Sequence, residues 1–77
     1  MIDENEFLTN FEAQFDDLQP NSMALDTPFR DAEGWGSLVG LSIIAMIDES
    51  YDLIISADEL KQCQTPQDVL NIIQSKR

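Results

Sequence analysis

Seventy-seven residues with 43% hydrophobic content suffice for one small core and little more, so residues 1–77 are read as a single domain. Fifteen acids against four bases leave a net charge of −11, a field that repels nucleic acid and anionic membrane surfaces and favours proteins with Arg/Lys-lined docking patches. The chain has no histidine and one cysteine, Cys63, which excludes Ser–His and Cys–His nucleophile pairs, a Cys/His zinc cluster and an internal disulfide.

The longest apolar run, Ile43 to Ile47, falls far short of the ~20 residues that span a bilayer. The start of the chain, Met1-Ile2-Asp3-Glu4-Asn5-Glu6, is acidic where a signal peptide is basic. The expectation is a cytoplasmic monomer without membrane insertion, in which Cys63 is a small buried residue in a reducing compartment.

Leu8, Phe11, Phe15 and Leu18 recur at three- and four-residue spacings, with Phe7 at the edge of the stripe, so a first helix is predicted over residues 3–18. Asp3 and Glu6 have capping-box spacing, and Gln19-Pro20-Asn21-Ser22 supplies the stop. The connection from 19 to 36 contains Pro20, Pro28, Gly34 and Gly36. A connection this long in a small domain is functional or anchored by its own side chains, here Leu25, Phe29 and Trp35.

A second helix is predicted over residues 37–50, despite Gly40. Its apolar residues are too many for one face: Leu41, Ile44, Ile47 and Tyr51 are assigned to the core, and Leu38, Val39 and Met46 point elsewhere. Those extras read equally as scattered surface apolars or as a partner-docking patch. Leu53-Ile54-Ile55 is too short for a strand. Ser56 with Glu59 opens a short third helix through Leu60 and Lys61. Thr65, Pro66 and Asp68 open a fourth, with Val69, Leu70, Ile72 and Ile73 on its apolar side. The fold class is therefore all-α, a small four-helix bundle with a short third helix and a long loop between helices one and two.

Catalytic machinery is hard to find. The glycines match neither a P-loop nor a dinucleotide fingerprint, and a domain this small has little room for a pocket with paired carboxylates. Asp48, Glu49 and Asp52 lack the spacing and central glycine of an EF-hand and read as a solvated acidic face. Ser37 stands out, because Gly34-Trp35-Gly36 runs directly into the second helix there. A hydroxyl at that junction lies in the positive field of a helix N-terminus and suits a phosphate ester. The plainer alternative is that Ser37 only caps the helix.

Gly34-Trp35-Gly36-Ser37-Leu38, followed by Leu41 through Glu49 and Tyr51, resembles the attachment-site region of acyl carrier proteins. Length, acidity and the long preceding loop agree with that family over nearly the whole chain. The resemblance implies that Ser37 carries a 4′-phosphopantetheine arm, whose thiol holds an acyl group as a thioester. It further implies that Leu38, Leu41 and Ala45 contact partner enzymes beside the arm, with Asp48, Glu49 and Asp52 as the acidic lower part of that surface.

The partners so implied are a phosphopantetheinyl transferase and acyl-transferring and condensing enzymes with basic docking patches, in fatty-acid, polyketide or related biosynthesis. The reactive thiol belongs to the cofactor, and the chain itself is expected not to be an enzyme. Gly36 departs from the family, which usually has Asp there, and Val39 and Ser42 stand where acids are common. A free-standing acyl carrier is the leading reading. An aminoacyl or peptidyl carrier and an unmodified acidic interaction module are the alternatives.

Overall fold

The computed structural model describes residues 2–15, 23–32 and 34–76. Its helices are α1 (Glu4–Glu12), α2 (Ser37–Tyr51), α3 (Ala57–Lys61) and α4 (Pro66–Lys76), with a 3₁₀ turn at Phe29–Asp31 between α1 and α2. No strand occurs among the described residues. The all-α class and the short third helix agree with the sequence.

Asp3 caps α1, its Oδ1 accepting the amides of Asn5 at 2.9 Å and Glu6 at 3.2 Å. The helix ends at Glu12, well before the expected residue 18. Past that point the chain tightens into 3₁₀-type bonds, the Gln14 and Phe15 amides donating to the Phe11 and Glu12 carbonyls. The Gln14 side-chain amide also takes the Asn10 carbonyl at 3.0 Å. The tighter turn still delivers Phe15 to the core, against Trp35 at 6.1 Å between ring centroids. The stop expected at Gln19-Pro20-Asn21-Ser22 lies outside the described residues.

The long connection is anchored as its composition suggests. Phe29 is fully buried, Leu25 and Trp35 pack against the core, and Met23 joins them as a further buried anchor. Backbone bonds fasten the segment to the approach to α4: the Phe29 amide donates to the Gln64 carbonyl at 3.0 Å, and the Gln67 amide to the Leu25 carbonyl at 2.9 Å. Arg30 adds a side-chain clamp. Its Nε donates to the Cys63 carbonyl at 2.8 Å and its Nη2 to the Leu60 carbonyl at 2.9 Å, while its guanidinium carbon lies 5.7 Å from the Trp35 ring centroid.

The face of α2 that meets the core matches the expected one at Ile47, has Ile44 and Tyr51 at its edge, and leaves Leu41 outside. Val39, Gly40, Ile43, Met46 and Ile47 are buried, whereas Ile44 and Tyr51 are half-buried and Leu41 is 60% exposed. Two overlapping apolar stripes exist on this helix, and spacing alone does not rank them. The stripe that wins joins the core shared with Phe7, Phe11, Phe29, Val69, Leu70 and Ile73, while Tyr51 at the end of the other keeps a ring contact with Phe7 at 6.2 Å between centroids. Val39 and Met46 thus belong to the core, and only Leu38 of the three residues set apart from it stays outside.

Reciprocal caps start both C-terminal helices. The Glu59 amide donates to Ser56 Oγ at 3.1 Å while Glu59 Oε1 accepts the Ser56 amide at 2.9 Å, a complete capping box. Asp68 Oδ2 likewise accepts the Gln64 and Thr65 amides, and its own amide donates to Thr65 Oγ1. Glu59 Oε2 also meets Lys76 Nζ at 3.1 Å, tying α3 to the end of α4. Val69, Leu70 and Ile73 are buried and Ile72 is half-buried, as the α4 pattern predicts.

Replacing Met46 by Ala is expected to cost about 2–5 kcal/mol, the range for emptying a buried site, while Leu41→Ala stays within ~0.5 kcal/mol; urea unfolding of the two variants checks the register of α2. The caps also make stability pH-dependent. Hydrogen bonds to the Ser56 amide and then Lys76 lower the Glu59 pKa, and the bond from the Gln64 amide lowers that of Asp68. Folded values below the unfolded ones mean a contribution present above the ordinary carboxylate range and lost as pH falls through the folded values. Glu59→Gln with Asp68→Asn is expected to flatten the acid limb of the melting-temperature profile, measured by circular dichroism.

Candidate functional site

The turn that presents Ser37 is built from its neighbours. Gly34 sits at φ 90°, a left-handed conformation that favours glycine. Trp35 follows with its ring held edge-on by Phe29 at 5.0 Å between centroids. Gly36 is extended and is the residue before the first helical turn, whose backbone ladder opens with the Gly40 amide donating to the Gly36 carbonyl at 3.0 Å.

Ser37 is the first helical residue, so it does not cap α2: the N-cap is Gly36, and no side chain caps the helix. The Ser37 side chain is exposed, and among the described residues its hydroxyl has no hydrogen-bond partner. A Cβ on Gly36 would meet nothing within 4 Å, so there is open space beside the hydroxyl. The first turn of α2 holds no acid, which leaves the positive end of the helix dipole unopposed there. These features fit a phosphate ester on Ser37 Oγ.

Beside Ser37 a groove of about 290 Å³ opens between α2 and α3. Trp35, Gly40, Leu41, Ile44, Ala57 and Leu60 make its walls apolar, and Arg30 and Lys61 supply the cations that border it. Gly40 keeps it wide: a Cβ there would touch Leu60 Cδ2 at 3.5 Å and Trp35 Cη2 at 3.6 Å. Such contacts are ordinary, so an alanine would fill the space without a clash.

The residues expected to meet partners share one outer stripe of α2. Leu38, Leu41, Ala45, Asp48 and Glu49 are all exposed, Leu38 at 81%, and their three- and four-residue spacing aligns them. Asp52 follows just past the helix as its left-handed C-cap, at φ 55°, its amide donating to the Asp48 carbonyl. Ile54, 72% exposed in the following segment, is a further apolar group that sequence reasoning did not single out.

Arg30, Gly40, Ala57, Leu60 and Lys61 also went unassigned as groove residues. Arg30 carried a signal, being the lone base among residues 1–33 and set beside Phe29. The others come together only through the packing of α3 on α2. Cys63 is buried, its Sγ–H donating to the Glu59 carbonyl at 3.4 Å. Burial pushes its thiol pKa up to about 11, with the Asp68 charge adding to the rise and Arg30 opposing it.

Among the described residues no cluster of three or more His, Cys, Asp or Glu could hold a metal ion, and no helix is long and apolar enough to cross a membrane. A family model described as a phosphopantetheine attachment site matches residues 6–73, a span that takes in most of α1, the Ser37 turn and the groove. Neither the curated proteins nor the solved structures give a significant match.

Proposed function

Since the chain belongs to the phosphopantetheine attachment-site family, and is therefore a non-catalytic carrier of 4′-phosphopantetheine, we propose that it is an acyl carrier protein loaded on Ser37. The observation that supports this reading is the exposed, unbonded Ser37 hydroxyl at the mouth of an apolar groove. When bound, the cofactor supplies the thiol that holds cargo as a thioester. The chain's own residues do the rest. Ser37 Oγ is the point of attachment, Gly36 leaves room for the transferase to reach it, and Trp35, Leu41, Ile44 and Leu60 line a hollow that excludes water from an apolar chain.

Carriers of this family work with a phosphopantetheinyl transferase and with biosynthetic enzymes. The finer reading is that Leu38, Leu41 and Ala45 dock apolar contacts of acyl-transferring and condensing enzymes, in fatty-acid, polyketide or related biosynthesis. Asp48, Glu49 and Asp52 would steer the basic patches of those enzymes into place. The apolar walls favour an acyl cargo over an aminoacyl or peptidyl one, which carries charges and amide groups that are costly to bury unpaired.

Incubation with coenzyme A and a phosphopantetheinyl transferase is expected to add the mass of one arm to the wild-type chain and none to Ser37→Ala. Intact-mass spectrometry reads the result, and a persistent gain in the alanine variant would sink the assignment.

Cargo burial is read by heat. Each buried methylene contributes ~0.8 kcal/mol, and ~1 kcal/mol moves the melting temperature of a domain this size by about 4–8 °C. Two or three methylenes in the groove therefore raise it by on the order of 10 °C over the unloaded pantetheinylated form. Gly40→Ala should stabilise the unloaded form, by up to ~1 kcal/mol from helix propensity, yet shrink the increment from a medium-chain acyl group by filling the groove. Equal increments in the two proteins, with unchanged fluorescence of the single tryptophan Trp35, would mean that the cargo stays outside.

A further inference from the structure

The chain is strongly acidic, yet the charges bordering the groove at Ser37 are cations, Arg30 and Lys61. Of the other two bases, Lys76 is engaged by Glu59, and Arg77 lies outside the described residues. The two groove cations differ in freedom. The Arg30 guanidinium is held by the Leu60 and Cys63 carbonyls and lies over the Phe29 and Trp35 rings, so it contributes a fixed positive charge. Lys61, the last residue of α3, is exposed and has no ion-pair or hydrogen-bond partner among the described residues.

A free ammonium on a flexible four-carbon stem, sharing a groove with the attachment hydroxyl, meets a negative charge as soon as Ser37 Oγ becomes a phosphodiester. Resting on the Ser37 reading, we propose that Lys61 holds that phosphodiester and so lays the arm across the mouth of the α2–α3 groove. Lys61 is thus a positioning residue, with Arg30 as the fixed half of the cationic border. Asp31 is the competing group. It lines a polar hollow with Lys61, Arg30, Pro28 and Gln64, but forms no ion pair with either base among the described residues. The phosphodiester has the advantage of the α2 N-terminus, whose dipole favours an anion at that spot.

The test uses the full chain loaded by a phosphopantetheinyl transferase, with loading verified by intact mass, in wild type, Lys61→Gln, Lys61→Arg, Asp31→Asn and Lys76→Gln. Two readouts are taken: the ³¹P resonance of the arm, and the paramagnetic broadening of the Ala57–Lys61 amides by a nitroxide attached to the arm thiol, with the unloaded chain treated alike as background. Lys61→Gln is expected to shift the ³¹P resonance and to reduce the population of the folded-back arm about two- to fivefold, the size typical of an exposed ion pair. High salt should do the same to wild type. Lys61→Arg should retain the wild-type pattern, Asp31→Asn should strengthen it, and Lys76→Gln should leave it unchanged. Loading with identical spectra in wild type and Lys61→Gln overturns the role of Lys61 alone; no mass gain on the wild-type chain overturns the carrier reading and this role together.

Discussion

The edge-on packing of Trp35 against Phe29, itself edge-on to Phe11 at 5.2 Å between centroids, decides where Ser37 stands. A loop would otherwise sample many conformations between α1 and α2, and the entropy of ordering it must be met by something. Aromatic rings meet it with large buried area and defined geometry. Arg30 completes the arrangement by satisfying the Leu60 and Cys63 carbonyls where α3 ends. Phe29, Arg30 and Trp35 therefore fix three things together: the approach to α2, the position of α3, and the wall of the groove between them.

That arrangement divides α2 among three tasks. Val39, Ile43, Met46 and Ile47 face the core, Gly40 and Ile44 face the groove, Leu38 and Ala45 face outward beside it, and the exposed Leu41 borders both groove and outer stripe. A helix that is apolar almost all round usually signals complete burial. Here the excess is shared between an interior, a hollow and an exposed stripe. The acids come in only from Asp48 onward, so apolar and charged character separate along the helix axis as well as around it.

Much of this was legible in the sequence, for identifiable reasons. Caps at Ser56 and Thr65, the proline at the start of α4 and the break around Gly34 and Gly36 are local signals, and local signals survived folding. The end of α1 did not, because Phe15 kept its apolar spacing while the backbone beneath it changed to a 3₁₀ turn; periodicity records where side chains go, not which hydrogen bonds carry them there. The core face of α2 was legible only in part, at Ile47 and at the half-buried Ile44 and Tyr51, for a related reason: two stripes were available, and only the packing of the other elements around the helix chooses between them. For the site, the loop-to-helix junction pointed to Ser37 as a place, and Arg30 was visible as an isolated base. Lys61 was not, since nothing along the chain links α3 to residue 37.

Cys63 bears on the chemistry of a carrier in another way. A thioester is an electrophile, and a thiolate on the same molecule could capture the cargo by exchange, leaving the acyl group on a side chain that no partner enzyme reaches. The chain has one thiol of its own, and folding keeps it both buried and protonated, with its hydrogen pointed at the Glu59 carbonyl. Only the thiolate attacks. On the carrier reading, the packing that buries Cys63 therefore also keeps the chain's one thiol away from a thioester-bound cargo.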